Sequence, residues 1–530
     1  MYDYLIIGAG SAGCVLANRL SANGAFQVLL LEAGGPDKKL EIQIPAAYAN
    51  LHRSSVDWQL ATEPQAHVGN RQIYLPRGKT IGGSSSTNAM AYVRGNALDY
   101  DGWNQPGWSY REILPYFRKS EHNVQFQDEY HGQHGELYVS HAASFRTPYA
   151  TGFVEACQQA GMPFNEDYNG ASQVGASYFQ FTIKNGRRHS GADAFLHPVS
   201  NRPNLTIRTR TQVQELIISD QTIRGVRLVS GEEIYVRKDV ILSAGAFHSP
   251  ILLQQSGIGD PADLKSAGIP LKHALPGVGK NLQDHLFLGV SALSNESRGQ
   301  NHTLKPWHLL QGMAEYFWKK TGPMTISPLE AVAFGQTSSC HVGVDYQLHF
   351  APIQTGDDYT VDPYNPKTFP HEDGFTILPT LLKPTSRGYV RIRQNRSIDF
   401  PEIQPNFLST DNDRKVMLEA TKIAMHVIQQ EGLAQYTQKW LTPPKRNSDD
   451  EIWEHIVRQV ETVYHPVGTC RMGDDEGAVV DAHLRVHGLQ GLRVIDASIM
   501  PTIVAGNTNA PVYMIAEHGA DLILTENENK

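Results

Sequence analysis

Four apolar residues, Tyr4 to Ile7, lead into a glycine-rich run from Gly8 to Gly13, and Val15, Leu16 and Leu20 then recur at helical spacing. This pattern predicts a short buried strand, a tight turn and a helix laying one face on a core. A second apolar run, Val28 to Leu31, predicts the next strand and ends at Glu32. "DVILSAGAFHSPILLQQSG" predicts a strand over Val240–Leu242 and then a helix with Ser249 as N-cap, Pro250 in its first position and Gly257 as its stop. "NLTIRTRTQVQELII" and "IRGVRLVSGEEIYVR" read as strands and hairpins. Between residues 300 and 462 the texture changes: "DYQLHFAP", "GFTILPTLLKP" and "GYVRIRQ" predict strands between proline- and glycine-rich loops, with helices such as 410–431. A last strand, Leu492–Ile495, precedes a terminal helix with Val512, Ile515, Ala516, Gly519, Leu522 and Ile523 on one face, Asn509 just ahead of it and Pro511 in its first turn.

Strand, glycine turn, helix, strand and acid within the first 32 residues form the context of a dinucleotide-binding unit. Gly8 serves the tight turn, Gly10 lets backbone N–H groups approach a pyrophosphate, Gly13 lets helix and strand pack closely, and Glu32 accepts from ribose hydroxyls. A glycine turn without ligand is the competing reading, and the placement of Glu32 disfavours it. The glycines do not distinguish NAD from FAD. "PRGKTIGGSSSTNAMAYVRG" carries Arg77 and Lys79 among apolar and aromatic neighbours, so it reads as an ordered loop rather than a linker, with Gly82 and Gly83 permitting close approach to a ligand. In "VYHPVGTCRMG", His465 and Cys470 raise the thought of a metal, but no third or fourth ligand accompanies them. His131 and His134 in "HGQHGEL" lack a carboxylate or cysteine at ligand spacing and read as a loop leading to strand Leu137–Val139, so no metal is expected.

A chain of 530 residues exceeds one hydrophobic core, so two domains or one composite body are expected. Its net charge of −8 argues against nucleic-acid partners. Cys14, Cys157, Cys340 and Cys470 form no CxxC, which fits a reducing compartment. Neither a basic leader nor an apolar run of membrane-spanning length is visible, so a cytoplasmic protein is expected, with peripheral contact at the inner membrane face left open.

Residues 77–88, residues 243–250 leading through Gln254 to Gly259, "HPVGTCRMG" and "DASIMPTIVAGNTNAP" occur in an order that resembles the FAD-dependent glucose–methanol–choline (GMC) oxidoreductases. "RGNALDYDGWNQPGW" is similar to the bacterial branch with choline dehydrogenase and related primary-alcohol dehydrogenases. The resemblance implies an α/β (α+β composite) fold: a Rossmann-like FAD-binding domain over 1–155, 200–300 and 463–530, and a discontinuous substrate domain, an antiparallel sheet plus helices, over 156–199 and 301–462. It implies FAD contacts from Gly8, Gly10, Ser11, Ala12, Gly13, Glu32 and Ala33, then from Arg77, Gly82, Gly83, Ser84, Asn88 and Ala89. Val213 would lie along the adenine, and Ala244, Gly245, Asp496, Ala497, Asn507 and Thr508 complete the set. Thr87 stands where some members carry a histidine bonded to flavin, so noncovalent FAD is expected.

Oxidising an alcohol means removing the hydroxyl proton while hydride leaves the same carbon, so the oxygen needs a base and a hydrogen-bonding partner. The resemblance assigns these roles to His465 and Asn509, and directs the terminal helix N-terminus at charge developing on reduced flavin. Electrons would pass to a quinone-like carrier or, in the alternative, to oxygen with Ala89 beside flavin C4a; a non-redox FAD lyase, a photodecarboxylase and a flavin-binding protein rank lower. Choline would need a carboxylate or an aromatic box; Tyr464, Glu330, Phe350 and Trp58 are the candidate substrate contacts. Oligomeric state is not readable from the sequence.

Overall fold

In the computed structural model, which describes residues 1–141, 144–340, 342–394 and 399–528, the apolar runs become the centre of an all-parallel sheet. Its strand order is Leu205–Arg208, Val28–Leu31, Tyr4–Ile7, Val240–Leu242, Leu492–Val494. Every residue of Tyr4–Ile7, Val28–Leu31 and Val240–Leu242 is buried, as a sheet covered on both faces requires. Helices Ser11–Leu20 and Asn509–Glu528 join the same apolar core. A Cβ on Gly13 would lie 1.9 Å from the Gly8 carbonyl oxygen, so only glycine allows this helix its depth on the strand.

The helix expected from Ser249 begins earlier, spanning Gly245–Gln255 with Pro250 inside it. Proline has no N–H for the Ala246 carbonyl four residues back. Thr469 Oγ1 donates to that carbonyl at 2.6 Å instead, which lets the helix run through the proline. The expected stop is present: Gly257 follows at φ +84°.

The second sheet is antiparallel, in the order Thr437–Thr442, Val290–Ser294, Gly374–Leu381, Tyr346–Ala351, Ala331–Gly335, Gly175–Tyr178. Val290–Ser294 lies ahead of the boundary expected at residue 300, and helix Pro148–Gln159 packs into this lobe ahead of residue 156. Residues Ala192–Val199 pack against the parallel-sheet core instead. Two short strands fix the junction: Leu286–Phe287 pairs antiparallel with Glu461–Thr462. The ladder resumes beyond them, with Val467 N–H donating to Gln283 O at 3.0 Å and Gln283 N–H to Val467 O at 3.1 Å. Residues 463–466 are thereby held against Asp284 and His285. Among the described residues no helix is long and apolar enough to cross a membrane.

Candidate active site

The carboxyl ends of the parallel strands open into a cavity of about 1090 Å³ that continues into the antiparallel lobe. That exceeds the roughly 300–1,000 Å³ of an ordinary small-molecule pocket. Three helix N-termini reach it, at Gly10–Ala12, Ala244–Gly245 and Thr508–Asn509. The first carries no side-chain cap, so its leading N–H groups are available to anionic groups of a ligand. At the second, Ala244 N–H donates to Ser249 Oγ at 3.1 Å and Gly245 N–H to Asp496 Oδ2 at 2.8 Å.

Gly10 has φ −75° and ψ −165°, open to any residue, and a Cβ there would meet no heavy atom nearer than 4.0 Å. The protein itself therefore makes no demand for glycine at this position; a ligand crossing it would. Glu32, at the end of its strand, accepts from Ala9 N–H at 2.9 Å and Gly34 N–H at 2.7 Å, and burial pushes its carboxyl up to about 7. These features fit a dinucleotide of FAD size. Of the expected dinucleotide contacts, all but Gly13 and Gly82 line the cavity. Gly82, at φ +84°, is a turn glycine whose Cβ would meet Ser86 Oγ at 2.1 Å. Both act in packing. Thr87 also lines the cavity.

Tyr464 takes the left-handed conformation, φ +68°, immediately before His465. Such strain persists where surrounding bonds over-determine the backbone. Here Tyr464 N–H donates to Thr462 Oγ1 at 2.8 Å, Arg77 Nη2 donates to Tyr464 O at 2.6 Å, and His465 N–H donates to Asp284 Oδ1 at 2.8 Å. Burial pushes Asp284 up to about 6, against the bonds from Thr462 and His465 that favour its charge.

The His465 ring is buried and bridges two partners: Nδ1 lies 3.0 Å from His285 Nδ1, and Nε2 lies 3.2 Å from Asn507 Nδ2. His285 Nε2 lies 3.0 Å from Leu382 O. A carbonyl only accepts, so His285 Nε2 carries the hydrogen. Burial holds His285 down to about 3, hence neutral, with Nδ1 as acceptor. His465 Nδ1 must then donate, and its Nε2 presents a lone pair toward Asn507 and the cavity. Burial, followed by the charges His285, His349 and Arg77 would carry, keeps His465 well below the usual histidine range.

Asn509 does not reach this pair. It is the first residue of the terminal helix, and its Oδ1 accepts from Ser11 Oγ at 2.6 Å. Asn507, in the turn before the helix, is the residue beside His465, and its buried Oδ1 has no partner among the described residues. Of the candidate substrate contacts, Tyr464 and Trp58 line the cavity. Glu330 does not: it is 2% exposed, accepting from Thr147 N–H at 2.8 Å, Thr147 Oγ1 at 2.7 Å and Gln300 Nε2 at 2.8 Å. Phe350 faces the lobe core, its ring 4.9 Å from Phe153, while its neighbour His349 lines the cavity. His285 went unread because its partner is 180 positions away; the one visible signal is a polar Asp-His pair inside the apolar "NLQDHLFL".

His131 lies in the expected loop leading to strand Leu137–Val139 and is buried there, with Nε2 2.8 Å from Asp167 and Nδ1 3.2 Å from Glu121. Burial opposes its charge, but the bonds to Asp167 and Glu121 outweigh it and push it up to about 9. Arg94 completes this structural ion cluster at 2.6 Å from Glu121. Asp128 also approaches His131 and Asp167, a grouping that sequence spacing did not show. Cys470 is buried, and all four cysteines are unpaired.

A parallel sheet whose carboxyl edge fits a dinucleotide, an antiparallel lobe meeting that edge and a buried histidine at the junction are the arrangement of a dinucleotide-dependent oxidoreductase. GMC oxidoreductase family profiles match residues 2–287 and 384–516. The chain is 42% identical to an alcohol dehydrogenase [acceptor] of Pseudomonas putida, over 99% of this chain and 96% of that one. It is 41% identical to mitochondrial choline dehydrogenase of Homo sapiens, over 98% of this chain and 89% of that one. Formate oxidase of Aspergillus oryzae, in a structure describing FAD modification, superposes with a TM-score of 0.91 at 28% identity, covering 100% and 99% of the two chains. The chain belongs to the GMC oxidoreductase family and is an oxidoreductase of alcohol-type substrates.

Proposed function

We propose that this chain oxidises an apolar primary alcohol to its aldehyde, with FAD held noncovalently in the dinucleotide half of the cavity. FAD, when bound, supplies the hydride acceptor. The observation that carries the reading is the lone pair on His465 Nε2, aimed at the cavity beside an asparagine amide at 3.2 Å. The alcohol hydroxyl donates to His465 Nε2, and its oxygen accepts from Asn507 Nδ2, stabilising the charge that develops as the proton leaves. His285 is a positioning residue. It holds the His465 tautomer, and its own burial makes it a poor proton acceptor. Thr87 on the cavity wall supports noncovalent binding.

Chemistry of the walls favours an apolar alcohol over choline. Met90, Met324, Leu329, Ile353, Phe369 and Leu378 line the substrate end. Glu32 and Asp496 lie on the dinucleotide side, and Glu461 is bonded to Arg71 at 3.0 Å and to Tyr364 at 3.3 Å. The faces of Tyr74 and Tyr364 already carry Arg53, at 5.1 and 5.2 Å. Glu41 also lines the cavity but is partly exposed to solvent, so an ammonium group would meet no fully buried carboxylate free to pair with it, while the half-buried Arg77 adds a like charge. A quinone-like carrier is the proposed acceptor; the Pseudomonas relative's name specifies an acceptor without saying which. The second reading, an oxidase releasing hydrogen peroxide, draws on Ala89, whose small side chain on the cavity wall leaves room for oxygen. Anaerobic alcohol should bleach the bound flavin in the wild type and fail to do so in His465→Ala; stopped-flow reoxidation in air then separates dehydrogenase from oxidase. Wild-type bleaching in His465→Ala would overturn the proposed base.

A further inference from the structure

The helix Pro306–Lys319 lies at the cavity mouth, with Leu309 and Met313 on the cavity wall. Gly312 and Tyr316 are buried beneath it, and Tyr316 packs with Ile44 and Met324. One apolar face is thus satisfied by the protein. A second apolar face points away from it: Trp307, Leu310, Ala314, Phe317 and Trp318 fall within about 100° of arc at the helical repeat. Trp307 is 68%, Leu310 61%, Phe317 49% and Trp318 92% exposed. A surface helix ordinarily keeps charged and polar residues on its outward face. Single exposed apolar residues need no explanation, but a contiguous stripe with two tryptophans does.

Lysines frame this stripe. Lys305 precedes the helix, and Lys319 and Lys320 end it, with the Lys320 ammonium 4.4 Å from the Tyr316 ring. Across the mouth, Lys38 and Lys39 precede Leu40, which is 45% exposed and lines the same cavity. The acids nearby are fewer than these five lysines: Glu315 accepts from Thr321 Oγ1 at 2.8 Å, Asp37 lies 2.9 Å from His197 Nε2, and Glu41 lines the cavity beside Leu40. The patch is therefore locally basic on a chain of net charge −8.

We propose that this face seats the protein on an anionic lipid bilayer, with the cavity opening toward the membrane. Tryptophan at interface depth, apolar side chains below it and lysines at the headgroups match the chemistry of an interfacial helix. Self-association is disfavoured by the same charges, because an isologous contact would set one lysine frame against another. An apolar alcohol or a quinone-class acceptor would then enter from the bilayer without crossing water. The proposal does not depend on the assigned chemistry, since its test reads binding alone.

The test is flotation of holoenzyme with phosphatidylcholine vesicles, with or without phosphatidylglycerol. Wild type is expected to float with the anionic vesicles about tenfold more than with neutral ones, and this excess should fall as salt screens the lysines. Trp307→Ser/Leu310→Ser/Trp318→Ser should lose the flotation and retain flavin absorbance and wild-type turnover with a short water-soluble alcohol. Lys305→Glu/Lys319→Glu, which leaves the apolar stripe intact, should lose the anionic preference and serves if the triple variant does not fold. Wild type that stays with the pellet, a triple variant that floats like wild type, or a lipid-free dimer abolished by the triple variant would each overturn the proposal.

Discussion

Replacing His285 with leucine removes the acceptor that holds His465 in its working tautomer. The bond is 3.0 Å long between buried rings, and the same change strips the Leu382 carbonyl of its donor. Each orphaned buried group costs about 1–3 kcal/mol, so the variant should melt lower while still binding flavin. Freed of His285, His465 can carry its hydrogen on Nε2, where it no longer accepts a proton. A net hydrogen bond is worth about 1 kcal/mol, so losing it shifts the tautomer balance by roughly fivefold, and the rate of flavin reduction should fall by a comparable factor. His285→Asn, which can return an acceptor near the Nδ1 position, should recover most of the loss. Anaerobic stopped-flow at saturating alcohol reads the step directly, after flavin content is matched by absorbance. A leucine variant that reduces flavin at the wild-type rate, or an asparagine variant no better than leucine, would refute the positioning argument.

Asn507→Ala should slow flavin reduction by about 10²–10³-fold, as loss of an oxyanion donor does, and Asn509→Ala should lose the Ser11 bond, about 1 kcal/mol in a thermal melt, with reduction little changed. Gly10→Ala should leave the melting of apoprotein unchanged yet release FAD on dialysis, read by free flavin fluorescence, because the added methyl projects into the cavity and not into protein. His131→Gln should destabilise the fold by about 3 kcal/mol at pH 7 in denaturant melts. The folded pKa of His131 is raised, from 6.5 to about 9, so its contribution is full below pH 6.5 and the deficit of the variant should vanish as pH rises through 9.

Much of the parallel sheet was legible because apolar runs such as Tyr4–Ile7 and Val28–Leu31 are bounded by polar or glycine residues, so their ends coincide with the strands. The helix at Gly245 was misread because its continuation through Pro250 depends on Thr469, a residue from another segment. His465 stood out as the candidate base from its motif, and it lies on the cavity wall. Its two partners did not stand out. Asn507 and Asn509 differ by two positions, and only the start of the terminal helix decides which one faces the histidine. In the strand Tyr346–Ala351 every residue is buried, so no polar alternation marks the cavity face; Phe350 and His349 point to opposite sides, and the expectation fell on the wrong one. Glu330 reads as a lone acid among apolar residues, which suits a ligand site and a satisfied core carboxylate equally well until Thr147 and Gln300 are seen around it.

The most direct measurement is anaerobic flavin reduction in the wild-type holoenzyme, followed with a straight-chain primary alcohol and with choline, and repeated in His465→Ala. Rapid bleaching by the aliphatic alcohol, little or none by choline, and none by either in the variant is the predicted result. Bleaching by choline at the higher rate would contradict the assignment of the cavity to apolar alcohols, and bleaching that survives in His465→Ala would contradict the base itself.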